Sequence, residues 1–186
     1  METRTAATVD DLWSVEGKAE LVGGRIVVSD GVGEEHGRIT QNIELSLVRY
    51  EDEYEYGYAL PDPVAFIVDI PGRQSFSPDV AFVEELGEHP ENFHVGPPLF
   101  AVEVRSKNDH GPKADREYAD KRRDYFAAGT LVVWDVNPRT RIVASYRRDD
   151  PEHPTLFRAG DTADAEPAVP HWRISVDRLF RIRRDR

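Results

Sequence analysis

Two short apolar runs that each carry one carboxylate constrain this chain more than any other feature: Ser77-Pro78-Asp79-Val80-Ala81-Phe82-Val83 and Leu99-Phe100-Ala101-Val102-Glu103-Val104-Arg105. Their β-branched and aromatic content predicts strands. Side chains alternate across a strand, so Phe100, Val102 and Val104 point one way while Glu103 and Arg105 point the other. A carboxylate inside such a run is costly to desolvate unless it is paired or holds a cation, and Asp79 at the head of the other strand is a candidate second ligand. Two acids with a basic group nearby are the minimal parts of a metal-dependent phosphodiesterase.

The remaining pattern supplies a sheet and helices around these strands. Thr8 caps a short helix running to about Val15, with Asp11 in its first turn. Gly23-Gly24 joins Glu20-Leu21-Val22 to Arg25-Ile26-Val27-Val28 as a hairpin. Ile39, Ile43 and Leu47 recur every fourth residue, with Leu45 and Val48 beside them, and predict an amphipathic helix over 35–51. Strands are expected over 54–60 and 64–69, with prolines between them and Pro71-Gly72 after them, and a long loop over 84–98. Pro112 opens a helix that Gly129 ends. On it the Tyr118, Arg122 and Phe126 stripe is expected to pack, leaving Glu117, Lys121 and Tyr125 on a separate face that can reach the site. A strand over 131–136, an antiparallel one over 141–146, a loop over 158–170 and a closing helix or strand over 174–180 complete the chain. Hairpins followed by a strand-helix-strand unit predict an α/β chain of the mixed α+β kind. It has an N-terminal β-hairpin, a mixed sheet flanked by helices, and a single domain over 1–186.

The chain has no cysteine and 6 histidines, so thiolate sites and disulfides are excluded. Any metal falls to carboxylates, carbonyls or imidazoles, which favours a hard cation such as Mg²⁺. His89, His94, His110, His153 and His171 show no ligand spacing. A net charge of -11 argues against a broad basic coat for nucleic acid, yet Lys121-Arg122-Arg123, Arg147-Arg148 and the tail 181–186 could border a cleft. Tyr50, Tyr54, Tyr56 and Tyr58 read as packing residues before base-stacking ones. Neither a leader pattern at Met1 nor a membrane-length apolar run occurs, so a soluble cytoplasmic protein is expected.

The order Glu20-Leu21-Val22-Gly23-Gly24-Arg25, Glu35-His36-Gly37-Arg38, Pro78-Asp79-Val80-Ala81, Val102-Glu103-Val104-Arg105-Ser106, then Lys121 and Tyr125 before Gly129, resembles the Uma-type family of restriction-endonuclease-like proteins over about 10–180. The resemblance implies the PD-(D/E)XK nuclease fold, a restriction-endonuclease-like mixed sheet between helices, with Mg²⁺ as cofactor and Mn²⁺ as its substitute. It maps Asp79 and Glu103 to the metal-binding acids and adds the carbonyl of Val104 as a ligand. Nucleases of this fold commonly carry Lys two residues after the Glu, where this chain has Arg105, and the family often places a Lys on the following helix, here Lys121. The third role thus stays open between them. Arg105 cannot act as a base but can hold a phosphate or a developing charge. Glu20 could complete the metal shell, and His36 could touch a phosphate or carry a proton. The implied partner is nucleic acid, DNA in the first place, with a homodimer open to it. A nuclease-fold module that only binds nucleic acid or protein is the main alternative, and a glycosidase carboxylate pair a lesser one.

Overall fold

The structure is a computed structural model and describes residues 6–182, so the end of the basic tail lies outside the described residues. In chain order they form α1 (Val9–Leu12), β1 (Ala19–Val22), β2 (Arg25–Val28), α2 (Glu34–Tyr54), β3 (Tyr58–Pro61), β4 (Phe66–Ile70), β5 (Arg73–Phe76), β6 (Val80–Val83) and β7 (His94–Val95). There follow β8 (Phe100–Val104), α3 (Pro112–Ala128), β9 (Val132–Asn137), β10 (Ile142–Arg147), β11 (Asp150–Phe157), β12 (Thr162–Ala165), β13 (Val169–Ser175) and α4 (Val176–Leu179).

Local chemistry accounts for most of the boundaries. The Asp11 carboxylate accepts the Thr8 N–H at 2.7 Å and the Thr8 hydroxyl at 2.9 Å, closing the first turn of α1. Gly23 and Gly24 adopt φ of 56° and 70°, the paired left-handed conformation that a two-residue hairpin turn requires. Helix α2 runs on to Tyr54, so the stretch expected to begin a strand there is its last turn. Tyr50 and Tyr54, four residues apart, stack with ring centroids 4.7 Å apart, and that contact outweighs their strand propensity.

The 158–170 stretch, expected as loop, instead contains β12 and the start of β13, paired from Thr162↔Ser175 onward. Ala163 and Ala165 alternate inward and are fully buried. Alanine carries too little hydrophobic signal for that alternation to be legible among polar neighbours. Strand β5 was likewise hidden, because Arg73-Gln74-Ser75-Phe76 has one apolar residue, and β7 sits inside the expected long loop.

The central sheet has the order β11-β10-β9-β8-β6-β3, with β8 and β9 parallel and joined through α3. A second sheet has the order β2-β1-β5-β4-β7. On one face of the central sheet, Ile39, Ile43 and Leu47 of α2 and Trp172 of β13 cover Phe100, Val102 and Trp134. On the other, Ala81, Ala101 and Val133 meet Phe66 and Phe76 of the second sheet and Tyr125 of α3. Glu103 lies two residues beyond Ala101 and so faces this second layer. Among the described residues no helix is long and apolar enough to cross a membrane.

Candidate active site

Strands β6 and β8 pair antiparallel with Val80 opposite Val102, which sets Asp79 and Glu103 at the same end of the two strands. The Asp79 N–H donates to the Val102 carbonyl at 3.0 Å, and the Val104 N–H donates to Asp79 Oδ2 at 2.7 Å. Lys18 Nζ lies 2.5 Å from Asp79 Oδ1, and His36 Nε2 lies 3.2 Å from Oδ2. Burial works to raise the proton affinity of Asp79, but the hydrogen bond from His36 and the charge of Lys18 prevail and hold it well below the usual carboxylate range. His36 is buried too, which favours its neutral form, yet the same contact with Asp79 leaves its proton affinity raised.

Glu103 presents Oε1 to two donors, the Tyr125 hydroxyl at 2.7 Å and Lys121 Nζ at 2.7 Å. Oε2 takes neither contact. Glu20, at the back of the site, accepts from Arg73 Nη1 at 2.6 Å, from the Ser77 N–H at 2.9 Å and from Lys121 Nζ at 2.8 Å. The two acids sharing Lys121 are driven in opposite directions. Burial raises Glu103, and the charges of Asp79 and Glu20 add to it against Lys121 and Lys18. Burial also raises Glu20, but Lys121 and Arg73 together bring it below its ordinary value. Lys121 is desolvated, which opposes its charge, yet Glu103 and Glu20 keep it firmly protonated. Its two carboxylate partners thus favour its charged form.

Asp79, Glu103, Val104, Lys121 and His36 line a common cleft of about 600 Å³. Helix α3 delivers Lys121 there on its buried face. Tyr118, Arg122 and Phe126 pack as expected, but Lys121 and the fully buried Tyr125 pack as well, so the expected free face for Lys121 is corrected. Arg122 packs with its guanidinium carbon 3.6 Å from the ring centroid of Tyr146.

The structure does not bring Arg105 to the cleft. It lies just past the end of β8, where its guanidinium forms two bonds to Asp135, at 2.8 and 2.7 Å, and one to Asp115 at 2.5 Å. Tyr118 covers it, with the guanidinium carbon 4.6 Å from the ring centroid. Sharing a strand face with Glu103 was a sound inference, but Asp135 on the neighbouring strand occupies that face too and captures the fork. Arg105→Met should therefore cost about 3–5 kcal/mol of stability by orphaning buried Asp135, a loss read from chemical denaturation.

Three contributors were missed. Lys18 stands two residues before Glu20 on the same strand face, a spacing that could have flagged it. Arg73 carries no signal, because the strand that holds it has none. Asp62 lies 3.4 Å from Lys18 Nζ and joins the cleft from the β3–β4 turn, with burial raising its proton affinity against the charge of Lys18.

As a metal site the donor set is all oxygen. Among the described residues no three acid or imidazole side chains converge as a cage. Two carboxylates with a backbone carbonyl suit a cation that keeps several waters, as Mg²⁺ does.

The family described as Uma2, "Putative restriction endonuclease", matches residues 11–177. A crystal structure described as a putative nuclease belonging to DUF820, from Anabaena variabilis, superposes with a TM-score of 0.73 at 16% identity, covering 93% of this chain and 97% of that one. That likeness establishes a shared fold. No curated protein matches the chain. Because the family match takes in the hairpin, both acid-bearing strands and the helix of Lys121, the chain belongs to the Uma2 family of restriction-endonuclease-like proteins.

Proposed function

We propose that this protein is a Mg²⁺-dependent endonuclease that hydrolyses phosphodiester bonds, of DNA in the first place, at the Asp79–Glu103 cleft. Family membership supports nuclease function in general. The observation that carries the site is Lys121, a buried lysine delivered by a helix to within 2.7 Å of Glu103, where it supplies the positive charge that Arg105 does not.

Asp79, Glu103 and the Val104 carbonyl would hold Mg²⁺, or Mn²⁺ in its place, and the ion would supply Lewis acidity toward water and the phosphoryl oxygen. The chain's own residues do the rest. The Val104 N–H pins Asp79, and the Tyr125 hydroxyl holds Oε1 of Glu103. Lys121 offsets the negative charge that builds on the phosphoryl group, and Glu20 with Arg73 keeps it aimed. His36, whose proton affinity the contact with Asp79 raises, contacts a phosphate or protonates a leaving oxygen.

One observation favours the second reading, a module that binds without cutting: Lys18 sits 2.5 Å from Asp79 and already neutralises one of the two acids. A nuclease requires that lysine to yield to the cation and turn to the substrate. Supercoiled plasmid and single-stranded RNA, incubated with the protein and Mg²⁺ or Mn²⁺, decide between them. Nicking that stops with EDTA is the expected result. Protein that cuts neither substrate with either ion leaves the binding module.

A further inference from the structure

Arg38 stands at the junction of two hollows. One, of about 480 Å³, carries the acids Glu34, Glu44, Asp62 and Asp79 beside His36; the other, of about 210 Å³, is free of acids and is lined by Asn42, Leu45, Arg49, Arg178 and Arg181. Arg38, Asn42, Leu45 and Arg49 recur at helical spacing and form one stripe along α2. Asn42 Nδ2 donates to the carbonyls of Leu179 at 3.0 Å and Arg181 at 3.3 Å, which fastens the end of α4 and its arginines beside that stripe.

None of these four arginines pairs with an acid among the described residues, and the same holds for others such as Arg25, Arg116 and Arg158; what sets the four apart is that they converge on one small hollow. Arg38 bonds only to neutral Gln41, at 2.7 Å. Unpaired guanidinium groups along one groove repel one another, and in a chain of net charge -11 acids were plentiful to relieve them. A ligand with repeated negative charge does so instead.

We infer that the α2–α4 arginine groove holds the phosphate backbone of the nucleic-acid strand leaving the Asp79–Glu103 cleft. The inference rests on the nuclease reading. It adds a direction and a length: from His36 to Arg49 the helix spans about 20 Å, or roughly six nucleotides of one strand. A single anion would fill one position; a strand that continues from the cleft fills the whole row.

Fluorescence anisotropy with labelled duplex DNA and labelled single-stranded RNA, titrated across a salt series, tests it. The Arg49→Gln/Arg178→Gln protein is expected to bind about tenfold more weakly, with the slope of log K against log salt reduced by about two. Arg25→Gln/Arg158→Gln removes the same formal charge from two exposed arginines that have no acid pair among the described residues and lie outside both hollows, and is expected to change neither quantity. Unchanged affinity and slope in the first pair, an equal loss in the second, or no binding of either nucleic acid by the wild type overturns the groove. The nuclease reading fails separately. A wild type that cuts nothing, with binding still lost only in the first pair, keeps the groove as a nucleic-acid surface. A wild type that cuts while the first pair binds normally rejects the groove and leaves the nuclease.

Discussion

Glu103→Gln is expected to abolish cleavage, by at least about a thousandfold, or roughly 4 kcal/mol of transition-state stabilisation, while leaving the metal-free fold as stable as before or more so. Glutamine keeps an oxygen where Oε1 now accepts from Tyr125 and Lys121, so the packing contacts survive. What disappears is a charge that burial and the neighbouring acids already oppose. The pH dependence follows the same sign. A carboxyl whose folded proton affinity is raised costs stability as pH rises from its unfolded value through its folded one, and the glutamine variant loses that slope. Melting curves from acidic to neutral pH, with and without Mg²⁺, read both effects: the wild type should gain stability from Mg²⁺ and the variant should not. A large drop in metal-free melting temperature would show that Glu103 serves as a structural ion pair.

Lys121→Met is expected to be the opposite case, costly to turnover and to the fold alike. Removing the shared cation leaves Glu20 and Glu103 buried and facing each other, a loss of about 3–5 kcal/mol near neutral pH. In the wild type Glu20 has a depressed folded value, so its contribution is present above its unfolded value and fades as pH falls through the folded one. In the variant both acids take up protons more readily. The two stability curves should therefore converge on acidification, which denaturation at several pH values measures. Turnover at saturating Mg²⁺ should fall by about a hundredfold to a thousandfold while substrate binding is largely kept. Undiminished turnover would make Lys121 a structural cation alone.

Most of the site's parts were legible in the sequence because strands and turns write their signals locally. Pro78-Asp79 and Glu103 stood at the ends of unmistakable apolar runs, Gly23-Gly24 spelled its hairpin, and Ile39, Ile43 and Leu47 marked the covering helix. The misreadings arose where tertiary partners decide. Arg105 follows strand alternation faithfully, and only the pairing of β8 with β9 reveals that Asp135 is waiting for it. Lys121 reaches the site as its place on the helix led one to expect, but on a packed face and not a free one, because Tyr125, one helical turn on, stacks on Phe76 with centroids 4.0 Å apart. Ala163 and Ala165 are buried by what covers them and not by strong apolarity of their own.

The amide of Val104 that holds Asp79 belongs to the strand bearing Glu103, so the backbone register of β6 and β8 sets the two acids side by side. Loop motion or fraying at α1 leaves that arrangement unchanged; loss of pairing between β6 and β8 destroys it outright. The hydrogen that exchanges most slowly with solvent at this site should thus be the one that ties the acids together, and the acid pair should persist until the central sheet itself opens. Loss of the acid pair on heating would then report global unfolding rather than a local one.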